Sequence, residues 1–153
     1  PTGWALRDYH SPNLIWRAER AGIDRVGVID FQDALQGPAA YDLVSLAQDA
    51  RLDVSPALEA ELVDYYCAAM ATRVTGFDAE ALRFAHAALG AQRNTKILGI
   101  FARLARRDNK PAYVAHMPRI WGYLRRSLAH PELHALKTVY DRHIMALAER
   151  RAE

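Results

Sequence analysis

The hydrophobic pattern of this 153-residue chain changes near residue 39. Before that point the apolar runs are short and lie between turn-forming or charged residues, as at residues 14–16 and 26–29. Two such runs around a polar connector are typical of paired β-strands. From Ala39 onward the apolar residues recur at helical spacing, as Leu43 and Ala47 do. The sequence therefore predicts a mainly α fold with a small β ribbon at its front edge.

Capping residues and prolines predict the helix boundaries. Ser55, followed by Pro56 at the first helical position, predicts a helix that reaches about residue 74. Asp78 is expected to cap a longer helix that continues to about residue 107. Prolines then divide the remainder into further helices, the last ending near residue 150: Pro111, Pro118 and Pro131.

Composition argues against several classes of protein. A formal net charge of +2 without a basic, aromatic-rich cluster does not suit a nucleic-acid binder, so we expect no nucleic-acid partner. No apolar run is long enough for a membrane span. The single cysteine, Cys67, excludes an internal disulfide, and we expect a cytoplasmic protein in which Cys67 fills the core. The histidines lack metal-ligand spacing and predict no zinc-type site.

Residues 7–13 carry the most informative chemistry, because Asp8 precedes Asn13 by five residues on a loop that leads into an apolar run. Phosphoryl transfer needs few protein groups: a carboxylate that orients the attacking hydroxyl, and oxygen ligands for magnesium. Asp8 fits the first role. Asn13 fits the second through its side-chain carbonyl oxygen, because magnesium prefers oxygen ligands.

A second carboxylate, Asp30, ends the apolar run at residues 26–29 and would be presented to a metal at a strand tip. After it, Gly37-Pro38 predicts a turn that feeds the helix containing Tyr41 and Asp42.

These three segments together resemble the kinases of the aminoglycoside phosphotransferase and choline kinase type, within the protein kinase-like superfamily. Residues 6–13 are similar to the family's catalytic loop His-Gly-Asp-x-His-x-x-Asn, with His10 at its second His. Residues 29–31 resemble its Ile-Asp-Trp or Ile-Asp-Phe, and residues 41–43 match its Tyr-Asp-Leu. Two departures are Leu6 in place of the first His, and the absence of a residue between Gly37 and Pro38.

The resemblance implies the C-terminal lobe of a protein kinase-like fold, with catalytic and metal-binding loops and the β ribbon in residues 1–42 and a helical subdomain in residues 43–153. ATP would be the co-substrate and Mg²⁺ the cofactor, with Asp8 and His10 catalytic and Asn13 and Asp30 on the metal. His10 could brace the loop or contact the substrate. Asp42 would support the catalytic loop. The N-terminal, ATP-gripping lobe is absent from this sequence, so we expect the segment alone to be inactive.

The closest resemblance is to bacterial cell-wall-recycling kinases, which phosphorylate N-acetylmuramate and N-acetylglucosamine at the anomeric hydroxyl. The resemblance includes residues 7–14, 30–34, 48–51 and 94–101 and extends as far as residue 124. It implies a small-molecule partner, an amino sugar. Two alternatives stay open: an antibiotic or choline-type kinase, and a non-catalytic interaction module derived from a kinase.

The long helix helps to choose among acceptors, because residues 83–107 contain six Arg and Lys residues and no Asp or Glu. Carboxylates would be expected to meet a polycationic acceptor. Arg93 falls on the apolar stripe of this helix, where a buried charge needs a partner: an internal carboxylate or the acceptor itself. Arg93, Asn94 and Lys96 are therefore candidate substrate-binding residues for a neutral or anionic amino sugar.

Overall fold

The structure is a computed structural model that describes residues 2–145. It confirms the mainly α fold with small antiparallel β ribbons. The chain divides into two compact units, Pro1–Leu89 and Gly90–Glu153, and each unit is described by itself.

Four short strands in the first unit form two antiparallel pairs. Strand β2 (Leu14–Trp16) pairs with β3 (Val26–Val28), which confirms the predicted ribbon. Strand β1 (Thr2–Ala5) pairs with β4 (Leu35–Pro38), so Gly37-Pro38 belongs to a strand where the sequence predicted a turn. Pairing between strands about thirty residues apart leaves no local pattern in the sequence, so the sequence did not predict this second ribbon.

Three helices follow in the first unit: α1 (Ala40–Ala47), α2 (Pro56–Ala71) and the start of α3 (Ala79–Arg106). Both predicted caps are present. Ser55 Oγ accepts a hydrogen bond from Leu58 N at 3.1 Å, and Asp78 Oδ1 accepts one from Ala81 N at 2.9 Å.

Helix α2 ends three residues earlier than predicted. The N–H groups of Arg73 and Val74 both donate to the carbonyl oxygen of Met70, which tightens the last turn and stops the helix. Gly76 then takes the left-handed conformation, with φ of 74°.

The core of the first unit lies between α1, α2 and the start of α3. Its buried members come from one face of each helix: Ala40, Leu43, Val63, Cys67 and Leu82. Cys67 is a core residue, as predicted, and burial raises the pKa of its thiol. Asp42 lies in the first turn of α1, so the packing of α1 into this core also fixes the position of Asp42.

The second unit contains the rest of α3, then α4 (Met117–Leu128), α5 (His134–Tyr140) and a π-helical turn at Asp141–Met145. Buried Ile120, Leu124 and Leu128 recur at helical spacing on α4. The expected end of the last helix near residue 150 lies outside the described residues. Within residues 2–145, no helix is both long and apolar enough to cross a bilayer.

Candidate active site

The loop around Asp8 is compact and held by its own backbone. Arg7 has φ of 72°, an unfavourable conformation for a residue with a side chain, and it directly precedes Asp8. His10 N donates to the carbonyl oxygen of Asp8 at 3.0 Å, and Asn13 N donates to that of His10 at 2.9 Å. The Asp8 side chain is exposed, and its carboxylate accepts no hydrogen bond from residues 2–145. Its position therefore depends on the backbone that carries it.

Asn13 links this loop to the second predicted segment. Its side chain is buried, and its Nδ2 donates to the carbonyl oxygen of Asp8 at 2.9 Å and to Asp30 Oδ2 at 3.2 Å. The backbone adds a third link, because Ile29 N donates to the carbonyl oxygen of Asn13 at 3.1 Å. The structure thus brings together Asp8, Asn13 and Asp30, which the sequence places up to 22 residues apart.

Asp30 is exposed just beyond the end of β3 and has φ of 61°. Such a conformation persists in a non-glycine residue only where its surroundings impose it, and it often marks a functional site. Gln32 Nε2 donates to Asp30 Oδ1 at 2.7 Å, so an amide group contacts each oxygen of this carboxylate. No role for Gln32 was assigned from the sequence; the available signals were its position two residues beyond Asp30 and its place in a segment that resembles the cell-wall-recycling kinases.

Asp42 lies beneath the loop and accepts two backbone hydrogen bonds from it. Leu6 N donates to Asp42 Oδ2 at 2.6 Å, and Arg7 N donates to Asp42 Oδ1 at 3.0 Å. These bonds hold the unfavourable backbone at Arg7 immediately before Asp8. They support the predicted structural role of Asp42. The bond at residue 6 comes from the backbone N–H, so it does not depend on whether the side chain is Leu or the family's His.

The donor set of this site suits a hard cation. Because Asn13 Nδ2 is engaged by two acceptors, its Oδ1 is the atom that remains to ligate, and Asp30 supplies a carboxylate. Among the described residues, no group of three or more His, Cys, Asp or Glu side chains could hold a metal ion. A magnesium ion here would thus rely on oxygen ligands from water and bound phosphates in addition to these two residues.

The candidate acceptor-binding residues lie in the second unit, on α3. Arg93 is buried, as its place on the apolar stripe predicted, and Asn94 is fully buried. Lys96 is exposed. Burial of Asn94 favours a packing role for this side chain, whereas Lys96 is accessible to a ligand.

Some of the cations in residues 83–107 are already neutralised by ion pairs. Arg83 forms a 2.8 Å ion pair with Asp64, and Arg107 forms a 2.7 Å pair with Asp108. The excess of positive charge available to an acceptor is therefore smaller than the sequence count of residues 83–107 indicated.

An apolar cavity of about 800 Å³ lies beside the loop in the first unit. Its wall includes aromatic residues of α2 and the loop, among them Tyr9, Tyr65 and Tyr66. Among its neighbours, Trp4 is exposed over 73% of its surface. Leu6, Tyr9 and Asp42 line this cavity, whereas Asp8, Asn13 and Asp30 do not, so the cavity borders the support of the loop and not the predicted metal ligands.

Comparison with known proteins agrees with the site. The model of the phosphotransferase enzyme family matches residues 1–84, which include Asp8, Asn13, Asp30 and Asp42. Among curated relatives, an N-acetylmuramate/N-acetylglucosamine kinase of Caulobacter vibrioides is 48% identical over 94% of this chain. Kinases of the same name from Neisseria meningitidis and Pseudomonas putida are 45% and 38% identical, over 82% and 83% of the chain.

The chain spans less than two-fifths of the length of these relatives, 38% of the Caulobacter protein and 37% of the other two. The family match nevertheless covers more than half of the chain and contains every residue of the candidate active site. The chain belongs to the phosphotransferase enzyme family.

Proposed function

We propose that this chain is the C-terminal lobe of a longer ATP- and magnesium-dependent kinase that phosphorylates an amino sugar, with the anomeric hydroxyl of N-acetylmuramate or N-acetylglucosamine as acceptor. The observation that carries the proposal is the pair of hydrogen bonds from Asn13, which join the Asp8 loop to Asp30. The relatives are called N-acetylmuramate/N-acetylglucosamine kinases, which supports the choice of acceptor.

In this proposal Asp8 accepts the proton of the acceptor hydroxyl as the hydroxyl oxygen attacks the γ-phosphorus of ATP. The bond between that phosphorus and the β–γ bridging oxygen breaks, and ADP leaves. Asn13 Oδ1 and the Asp30 carboxylate would hold magnesium, which neutralises charge on the phosphates when bound. The exposed side chain of Asp8 is accessible to a substrate, as a general base must be. The hydrogen-bonded backbone of the loop fixes the point from which this side chain extends.

His10 keeps both of its predicted roles. Its backbone N–H and carbonyl group close the turn between Asp8 and Asn13, which supports a role in bracing the loop. The charge of its ring lowers the pKa of the buried Asp49 carboxyl, so the ring lies near that residue.

The acceptor class follows from charge and from the relatives. No Asp or Glu occurs in residues 83–107, and like charges in close contact cost free energy. A polycationic aminoglycoside would therefore be poorly matched to this helix, even with Arg83 and Arg107 paired. Arg93 and Lys96 are proposed to meet the acceptor, with Asn94 supporting them from its buried position.

Acceptor profiling of the full-length enzyme tests the proposal. ATP-dependent phosphorylation is measured with N-acetylmuramate, N-acetylglucosamine and kanamycin under the same conditions. We expect the N-acetylated sugars to be phosphorylated with a kcat/KM at least tenfold above that of kanamycin. Faster phosphorylation of kanamycin would reject the amino-sugar assignment while leaving the kinase chemistry in place.

Arg93→Ala tests the proposed contact more finely, because only N-acetylmuramate carries a lactyl carboxylate that a guanidinium could hold in a fork. A selective rise in KM for N-acetylmuramate supports the contact. Equal weakening of both sugars would remove it. Arg103→Ala, an exposed cation on the same helix with no proposed acceptor contact, is the matched variant for a general loss of positive charge.

A further inference from the structure

A second carboxylate approaches the catalytic loop from just beyond the end of α1. Asp49 lies seven residues after Asp42 in the sequence and is 1% exposed. It takes no part in the metal or acceptor sites proposed above. A buried carboxylate is costly unless its oxygens are hydrogen-bonded, so its contacts show what it stabilises.

The Asp49 carboxylate accepts three hydrogen bonds, two of them from the catalytic loop. Its Oδ2 accepts from Ser11 N at 2.8 Å and from Ser11 Oγ at 2.5 Å. Its Oδ1 accepts from Arg51 N at 2.8 Å. Burial alone would raise the pKa of Asp49, but the Ser11 hydroxyl, the two backbone N–H groups and the charge of His10 outweigh it and lower the pKa. Asp49 is therefore ionised at neutral pH.

We propose that Asp49 is a positioning residue for phosphoryl transfer. It holds the loop after Asp8, whereas Asp42 holds the loop before Asp8. This inference rests on the proposed function. Asp42 fixes the backbone at Leu6 and Arg7, and Asp49 fixes it at Ser11. Both carboxylates come from one segment of chain, α1 and the two residues after it.

The need for two supports follows from the loop itself. The Asp8 carboxylate accepts no hydrogen bond from the described residues, so the backbone at residues 7–11 sets its position. That backbone begins with an unfavourable φ at Arg7 and would relax if either end were released. Misplacement of a catalytic group by about 1 Å can cost on the order of 100-fold in rate.

Asp49→Asn in the full-length enzyme tests the proposal, because the amide puts a donor where the native side chain only accepts. We expect kcat to fall at least tenfold, with KM for ATP within twofold of the wild-type value. Ser11→Ala removes the Oγ bond but keeps the N–H bond, so we expect a smaller fall in kcat, of about threefold. The kcat of the double variant should equal that of Asp49→Asn alone, because both changes break the same interaction between Ser11 and Asp49.

Ser55→Ala is the matched control. It removes the cap of α2, a hydrogen bond to Leu58 N in the same unit that does not touch the loop. We expect it to lower the urea midpoint of unfolding slightly, because a helix cap is lost, with kcat within twofold of wild type. If Asp49→Asn kept the wild-type kcat, or lost no more activity than Ser55→Ala, the positioning role would be wrong.

Hydrogen exchange tests the same point without relying on activity. The hydrogen-bonded amides of His10, Ser11 and Asn13 should exchange at least tenfold faster in Asp49→Asn than in wild type, and at the wild-type rate in Ser55→Ala. Unchanged protection in Asp49→Asn would overturn the proposal. Ser11→Ala serves if Asp49→Asn does not fold, and it should also speed exchange in this loop. Lack of sugar phosphorylation by the wild-type enzyme would reject the proposed function, whereas the exchange result would still decide the role of Asp49.

Discussion

His86 should make the stability of the first unit depend on pH. Its side chain is buried on α3, and its Nε2 has no hydrogen-bond partner among the described residues. Glu59 Oε1 is 4.0 Å from this nitrogen, beyond hydrogen-bonding distance, and already accepts a hydrogen bond from Gln48 Nε2 at 2.5 Å. Burial lowers the pKa of His86 from 6.5 to about 4, so the ring is neutral at pH 7.

The size of the effect follows from this shift. Each pKa unit corresponds to about 1.4 kcal/mol, so a change from 6.5 to about 4 is worth about 3 kcal/mol. This is an upper bound, because an ionised Glu59 would favour a charged ring and offset part of the cost of burial. Between these two values the unfolded chain binds the proton and the folded chain does not. Stability is therefore complete above pH 6.5 and is lost as the pH falls towards 4.

The assay is urea unfolding, followed by tryptophan fluorescence, of the wild type and His86→Gln between pH 7.5 and pH 4.5. Carboxylates also titrate in this range, and comparison with a variant that cannot titrate at residue 86 isolates the contribution of His86. We expect the wild type to lose about 2 kcal/mol more than His86→Gln over this range. Parallel stability profiles for the two proteins would show that His86 does not cause the loss of stability at low pH.

Two further predictions follow from the loop and from the length of the relatives. Asp42→Ala should destabilise the protein by about 2–3 kcal/mol and greatly reduce kcat, because the N–H groups of Leu6 and Arg7 lose their acceptor; urea unfolding and steady-state kinetics measure both, and a wild-type kcat would contradict the role of Asp42. Residues 1–153 alone should show no ATP-dependent sugar phosphorylation, because they cover only 38% of the Caulobacter kinase; measurable turnover by the purified segment would contradict this.

Local features of the fold could be predicted from the sequence because their physical causes are local. A capping side chain contacts a backbone N–H group three residues away, so Ser55 and Asp78 identified the starts of α2 and α3. The β1–β4 pair could not be predicted, because its register depends on contacts between residues such as Thr2 and Pro38.

The candidate site shows the same division. The order and spacing of Asp8, Asn13 and Asp30 allowed the chemistry to be predicted, because residue types and motif order are visible in the sequence. The contacts by which Asp49 and Gln32 support the site could not be predicted from the sequence. Asp49 meets Ser11 across 38 positions of the chain, and the role of Gln32 depends on the left-handed backbone at Asp30.

We propose that Asp8 and Asp30 perform separate parts of one phosphoryl transfer. The most direct measurement pairs steady-state turnover with magnesium-dependent ATP binding by calorimetry, in the full-length enzyme and its Asp8→Ala and Asp30→Ala variants. We predict that Asp8→Ala loses most of its kcat and binds ATP with little change, whereas Asp30→Ala loses magnesium-dependent binding. Normal turnover in either variant would contradict the account.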